Sequence, residues 1–76
     1  MKFVIYGSGC SKCNLLTANA KSAAEALGLD YEVEKVTDVN GIISAGIMHT
    51  PALEVDGKIL IEGKVSSVET IKGMLG

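Results

Sequence analysis

Two cysteines separated by two residues, Cys10 and Cys13, stand at the junction between an apolar run and a helical pattern. No other feature restricts the chain as much. Lys2–Tyr6 (KFVIY) is an apolar run bounded by Gly7, as expected of a strand covered on both faces. Gly7-Ser8-Gly9 makes a tight connection, and the cysteines follow at once. From Ser11 to Leu27 the pattern turns helical, with Leu16, Ala20, Ala23 and Leu27 on one stripe and Gly28 placed to end the helix in a left-handed conformation. A pair this close in sequence closes almost no loop, so it does not staple a small secreted domain. It points to redox chemistry or metal binding. Two small apolar side chains that merely pack are the plainer alternative. The glycine-rich approach and the helix start argue against it.

A cysteine in the first turn of a helix meets unpaired backbone N–H groups and the positive end of the helix dipole, both of which stabilise a thiolate. Cys10 is expected in that position, with Lys12 adding a mobile positive charge. The thiolate is the attacking species in disulfide exchange. Cys13, one helical turn deeper, lies within reach of the Cys10 sulfur and resolves a mixed disulfide intramolecularly.

The remaining chain alternates strand and helix signals. Asp30–Val36 (DYEVEKV) alternates with Tyr31 and Val33 on one face, Glu32 and Glu34 on the other. A strand, helix and strand in this order make a parallel pair with a right-handed crossover. Thr37-Asp38 caps a short helix carrying Val39, Ile42 and Ile43, with Gly46 as its stop. Ala52–Val55 and Lys58–Glu62 flank Asp56-Gly57, the pair that favours a type I′ hairpin turn. Ser66 or Ser67 then caps a final helix lined by Val68, Ile71 and Leu75. The order is β-α-β-α-β-β-α in one domain, residues 1–76, with no repeat and no linker. Met48 and Met74 are expected as gap-filling core or edge residues.

The charge balance excludes some classes of partner. A net charge of −2, no basic stripe and 4% aromatic residues give no footprint for nucleic acid. After Met1-Lys2 only four apolar residues, Phe3 to Tyr6, come before Gly7, against roughly 7–15 for a secretory segment and about 20 for a membrane span. The expectation is a cytoplasmic monomer with no membrane partner.

Thr50-Pro51 precedes the third strand, and proline within sheets is confined to strand ends and edges. A CXXC opening the first helix, a Thr-Pro before a hairpin, a glycine after it and a closing helix together resemble the thioredoxin fold. More narrowly, the chain is similar to the small, glutaredoxin-sized "redox-active disulfide" thioredoxin-like proteins of archaea and bacteria. Their G-x-G-C-x-x-C, K-V-T-D and T-P-A-L patterns reappear as Gly7–Cys13, Lys35–Asp38 and Thr50–Leu53. The resemblance implies a four-stranded mixed sheet with helices on both faces and thiol–disulfide oxidoreductase activity or electron carriage. It makes Cys10 the exposed nucleophile, Cys13 the buried resolving thiol and Pro51 a cis proline facing them. Thr50 offers its backbone to a bound polypeptide, and Gly9 and Gly63 line the approach of the substrate. It implies no cofactor beyond the Cys10–Cys13 pair and no metal, with protein disulfides as substrates.

The chain also departs from its larger relatives. It has no Trp, and Gly9 stands where thioredoxins carry one before the first cysteine. Val4 stands six residues before Cys10, where thioredoxins place a buried acid. Gly63-Lys64-Val65-Ser66-Ser67 does not reproduce the glutathione-binding element of glutaredoxins, which favours a thioredoxin-reductase-type flavoenzyme as electron donor. The competing reading is a soft-metal metallochaperone of the ferredoxin-like type, whose CXXC holds Cu(I) or Zn(II) but whose chain runs β-α-β-β-α-β and ends on a strand. His49 is a candidate third ligand or an assistant to the thiols. Glu34 and Lys35 are candidates for the space under Cys13.

Overall fold

The computed structural model describes residues 1–7 and 11–76. The apolar run forms β1 (Lys2–Tyr6), followed by α1 (Ser11–Ala26), β2 (Glu32–Val36), α2 (Val39–Ser44), β3 (Ala52–Val55), β4 (Lys58–Glu62) and α3 (Val68–Leu75). The strands lie in the order β2-β1-β3-β4. β1 runs parallel to β2 with Phe3 opposite Val33, and antiparallel to β3 with Ile5 opposite Leu53. The chain closes on a helix and its hairpin comes late, so the ferredoxin-like order is not the one adopted.

Local chemistry sets the boundaries. Gly28 takes φ 70°, and the Leu29 and Gly28 N–H groups return to the Ala24 and Glu25 carbonyls, closing α1 with a Schellman motif. Gly46 repeats this after α2 at φ 80°, with Ile47 and Gly46 bonded back to Ile42 and Ile43. At the helix starts, the Asp38 carboxylate accepts from Gly41 N–H, and the Ser67 hydroxyl accepts from Thr70 N–H. Ser67 is therefore the cap of α3, whereas Ser66 is buried with its carbonyl accepting from Asn19 Nδ2 on α1. Asp56 and Gly57 both have positive φ, as the type I′ turn requires.

Two expected boundaries move inward. α1 ends at Ala26 because Leu27 already belongs to the Schellman turn, where its side chain is partly exposed rather than part of the apolar stripe. β2 begins at Glu32, since Asp30 and Tyr31 precede the first paired residue, Glu32 opposite Lys2.

Alternation along β1 divides the interior. Phe3 and Ile5 face α1 and α3, packing with Leu16, Ala20, Ala23, Ala24, Leu53, Val55, Ile61 and Ile71. Tyr31 and Val33 lie against this cluster, and the Tyr31 ring stacks on Phe3 at 5.6 Å. Val4 and Tyr6 face the other way and meet Ile42, Ile47 and Ala52 beneath α2. A bulge between Leu53 and Glu54 leaves Leu60 as an extra residue on β4, so both Leu60 and Ile61 pack on the larger cluster.

Candidate functional site

The site forms where β1 ends, α1 begins and the chain enters β3. α1 starts at Ser11, which puts Cys13 in its first turn with no acidic side chain there to oppose the positive helix end. Cys13 is 4% exposed, and its carbonyl accepts from Thr17 Oγ1 at 2.8 Å. Cys10 and Gly9 lie outside the described residues. Lys12 is exposed on the same turn.

Gly7 determines how Cys13 seats. A Cβ built on Gly7 would collide with Cys13 Sγ and stand 3.9 Å from the Pro51 Cα. A glycine here lets the cysteine pack directly on the β1 backbone beside Pro51. The sequence marks Gly7 as the end of the strand and the start of the G-x-G-C-x-x-C pattern, without assigning it a contact with Cys13. Its place at the strand end, three residues before Cys10, is the available signal.

The Thr50–Pro51 bond is cis, and Pro51 is fully buried while Thr50 is exposed. The Pro51 carbonyl accepts from Gly63 N–H at 2.8 Å, which joins the end of β4 to the start of β3. Gly63 takes φ 78°, and a Cβ there would stand 2.9 Å from His49 Cβ. Cys13, Gly7, Pro51, Thr50, His49 and Gly63 are therefore brought to one end of the sheet.

His49 is exposed and packs on Gly63 through its Cβ. Among the described residues, no three His, Cys, Asp or Glu side chains form a group suited to a metal ion. Met48 does not fill the core. It is 83% exposed, because the chain past Ile47 turns outward and its backbone N–H is bound to the Glu62 carboxylate. Met74, on α3, is also exposed. Lys35 reaches α1, where its Nζ donates to Asn14 Oδ1 at 3.5 Å, next to Cys13 in sequence. Glu34 instead pairs with Lys2 at 3.0 Å on the open surface, and that pair raises the Lys2 pKa.

Val4 is buried under α2 with Glu34 and Glu54 as its register partners on either side. Both carboxylates are engaged, Glu54 by the Tyr6 hydroxyl, which donates to its Oε1 at 3.1 Å. Burial, then the bond to Glu54 and its charge, push the Tyr6 pKa above its ordinary value. This pairing was not anticipated, because Tyr6 and Glu54 are 48 positions apart.

A family model described as "Thioredoxin domain" matches residues 1–76. The chain is 45% identical over 75 residues to a protein named thioredoxin from Methanothermobacter thermautotrophicus, covering 99% of this chain and 97% of that one. It is 50% identical over 68 residues to a thioredoxin from Methanocaldococcus jannaschii, covering 90% of this chain and 78% of the other.

Proposed function

The chain belongs to the thioredoxin family and is a thiol–disulfide oxidoreductase, and from that premise we propose that Cys10 and Cys13 exchange a disulfide with protein substrates. The observation that carries this reading is the meeting of Cys13, Gly7 and the cis Thr50–Pro51 segment at one end of the sheet. Cys10 immediately precedes Ser11, the first residue of α1, where the helix dipole favours a thiolate.

In the reducing direction, the Cys10 thiolate attacks one sulfur of the substrate disulfide. A Cys10–substrate bond forms, and the other substrate sulfur leaves as a thiolate that takes up a proton. Cys13, deprotonated, then attacks Cys10 Sγ. The Cys10–Cys13 bond forms, the mixed disulfide breaks, and the second substrate sulfur leaves as a thiolate that takes up a proton from solvent, to which Cys13 has released its own. The substrate has gained two electrons and two protons, and the pair is oxidised. Thr50 and Gly63 present backbone to the extended substrate, as in strand addition elsewhere. In sequence Gly9 precedes the nucleophile, and Lys12 follows it by two residues with a positive charge that favours the thiolate. In this reading residues 1–76 act as one domain, a cytoplasmic monomer with no cofactor beyond the cysteine pair, no metal, and no nucleic-acid or membrane partner. A thioredoxin-reductase-type flavoenzyme regenerates the dithiol. Among the described residues no helix is long and apolar enough to cross a membrane.

The reading is tested by trapping. Cys13→Ser should accumulate mixed disulfides through Cys10, and Cys10→Ser should abolish reactivity. The wild-type pair should titrate at roughly −180 to −270 mV, between isomerase and thioredoxin values. Equal trapping by both single variants would overturn the assigned roles. Following the oxidised protein with a flavin-dependent thioredoxin reductase and with glutathione identifies the donor, the first being expected to act faster.

A further inference from the structure

The segment between α2 and Pro51 carries no secondary structure, yet its backbone is held at several points. Ile47 is tied back to α2 through its N–H on the Ile42 carbonyl. At the other end the Pro51 carbonyl accepts from Gly63. Between them, one side chain spans the gap. Glu62 Oε2, from the last residue of β4, accepts from Met48 N–H at 2.8 Å and from His49 N–H at 3.3 Å.

These two bonds differ from those that hold the core. Glu62, Met48 and His49 are all exposed, so water can satisfy each group once the carboxylate is removed. Breaking the bonds leaves no buried orphan donor and no cavity, and the fold has little reason to respond. What changes is the freedom of the backbone immediately ahead of Pro51. An ionised acceptor shared by consecutive N–H groups is a strong, directional restraint on such a segment. The close seat of His49 on Gly63 adds a second, steric restraint from the same end of β4.

We infer that Glu62 is a positioning residue, which preorganises the 48–51 segment for a polypeptide disulfide without touching the reacting sulfurs. This rests on the proposal that Thr50 and Pro51 receive the substrate chain. A preformed segment lowers the ordering cost of binding a polypeptide, whereas a small disulfide that meets only the thiols gains nothing from it.

The test compares Glu62→Ala and Glu62→Gln with wild type, using insulin as the polypeptide disulfide and an aromatic small-molecule disulfide. Glu62→Ala should raise KM for insulin roughly three- to ten-fold, the scale of one or two modest hydrogen bonds, with kcat unchanged. Turnover of the small disulfide should not change. Glu62→Gln keeps an acceptor oxygen and should recover most of the insulin KM. Amide exchange at Met48 and His49 should quicken in Glu62→Ala and stay slow in Glu62→Gln. An unchanged insulin KM, an equal loss on both disulfides, no recovery by glutamine, or unaltered amide exchange would each overturn the role. If wild type reduced neither disulfide, the exchange chemistry itself would fail, and the amide-exchange contrast would still report the restraint by itself.

Discussion

On one face of the sheet Phe3, Leu16, Leu53 and Ile71 are sealed to 0% exposure, whereas on the other Val4, Tyr6 and Ile42 keep 7–9%. The first face is covered by α1 and α3 and contains most of the large side chains that are fully buried. The second is covered by the six-residue α2, whose Val39 and Ile43 point away into solvent, and a charged rim of Lys2, Glu34 and Glu54 lies beside it. The contrast separates two tasks. The larger cluster supplies the burial that a 76-residue chain needs to fold at all. The smaller one includes Ile47 and Ala52, the residues bracketing the 48–51 segment, and so anchors the approach to the sulfurs.

That division can be broken by substitution. Phe3→Ala should have the largest effect, about 3–5 kcal/mol in urea unfolding. Against a total of roughly 4–11 kcal/mol for a chain this size, that removes from about a quarter to all of the stability. Ile47→Ala, on the second face, should cost about 2–3 kcal/mol, and should slow reduction of polypeptide disulfides in the molecules that remain folded. If Ile47→Ala destabilised as much as Phe3→Ala, the two faces would be equal partners in stability. Gly7→Ala should cost about 1–3 kcal/mol through overpacking, and it should slow the exchange reaction because Cys13 must move. Wild-type kinetics in that variant would show that the seat of Cys13 is not needed.

The smallest effect is one of pH. Tyr6 on the second face has its pKa raised, chiefly by burial and then by Glu54. The folded state therefore holds that proton more tightly than the unfolded chain. The resulting stability is complete below the unfolded pKa, about 10, and is lost as pH rises through the folded value. Tyr31 on the first face is raised as well, led by its bond to Glu25. Tyr6→Phe and Tyr31→Phe should each flatten part of the stability decline above pH 10, measured by denaturation at fixed temperature. A decline identical in wild type and the Tyr6→Phe variant would remove Tyr6 from the account.

The elements were legible because their signals are local. KFVIY, Asp56-Gly57, the capping Asp38 and Ser67, and the stop glycines Gly28 and Gly46 each act within a few residues of where they stand. Tertiary contacts do not write themselves locally. Nothing around Glu62 announces that its carboxylate reaches back 13 and 14 positions to His49 and Met48. Met48 reads as packing material by composition, yet a backbone bond to that carboxylate leaves its side chain outside. The extra residue Leu60 is likewise invisible to a two-residue alternation, because a bulge breaks the count. At the site, the cysteine spacing and the Thr50-Pro51 step were readable, whereas the use of Gly7 depends on how closely α1 approaches β1.

Cys13, screened from solution beneath Gly7, can serve as an internal clock. A dissolved alkylating reagent reaches a thiol only 4% exposed when the start of α1 opens. In a Cys10→Ser protein the labelling rate of Cys13 then counts those openings one by one, without a spectroscopic probe. The same screening gives the chemistry its privacy. A foreign thiol must wait for the helix to lift, while a partner already bonded three residues away need not, so proximity rather than intrinsic reactivity decides which sulfur answers.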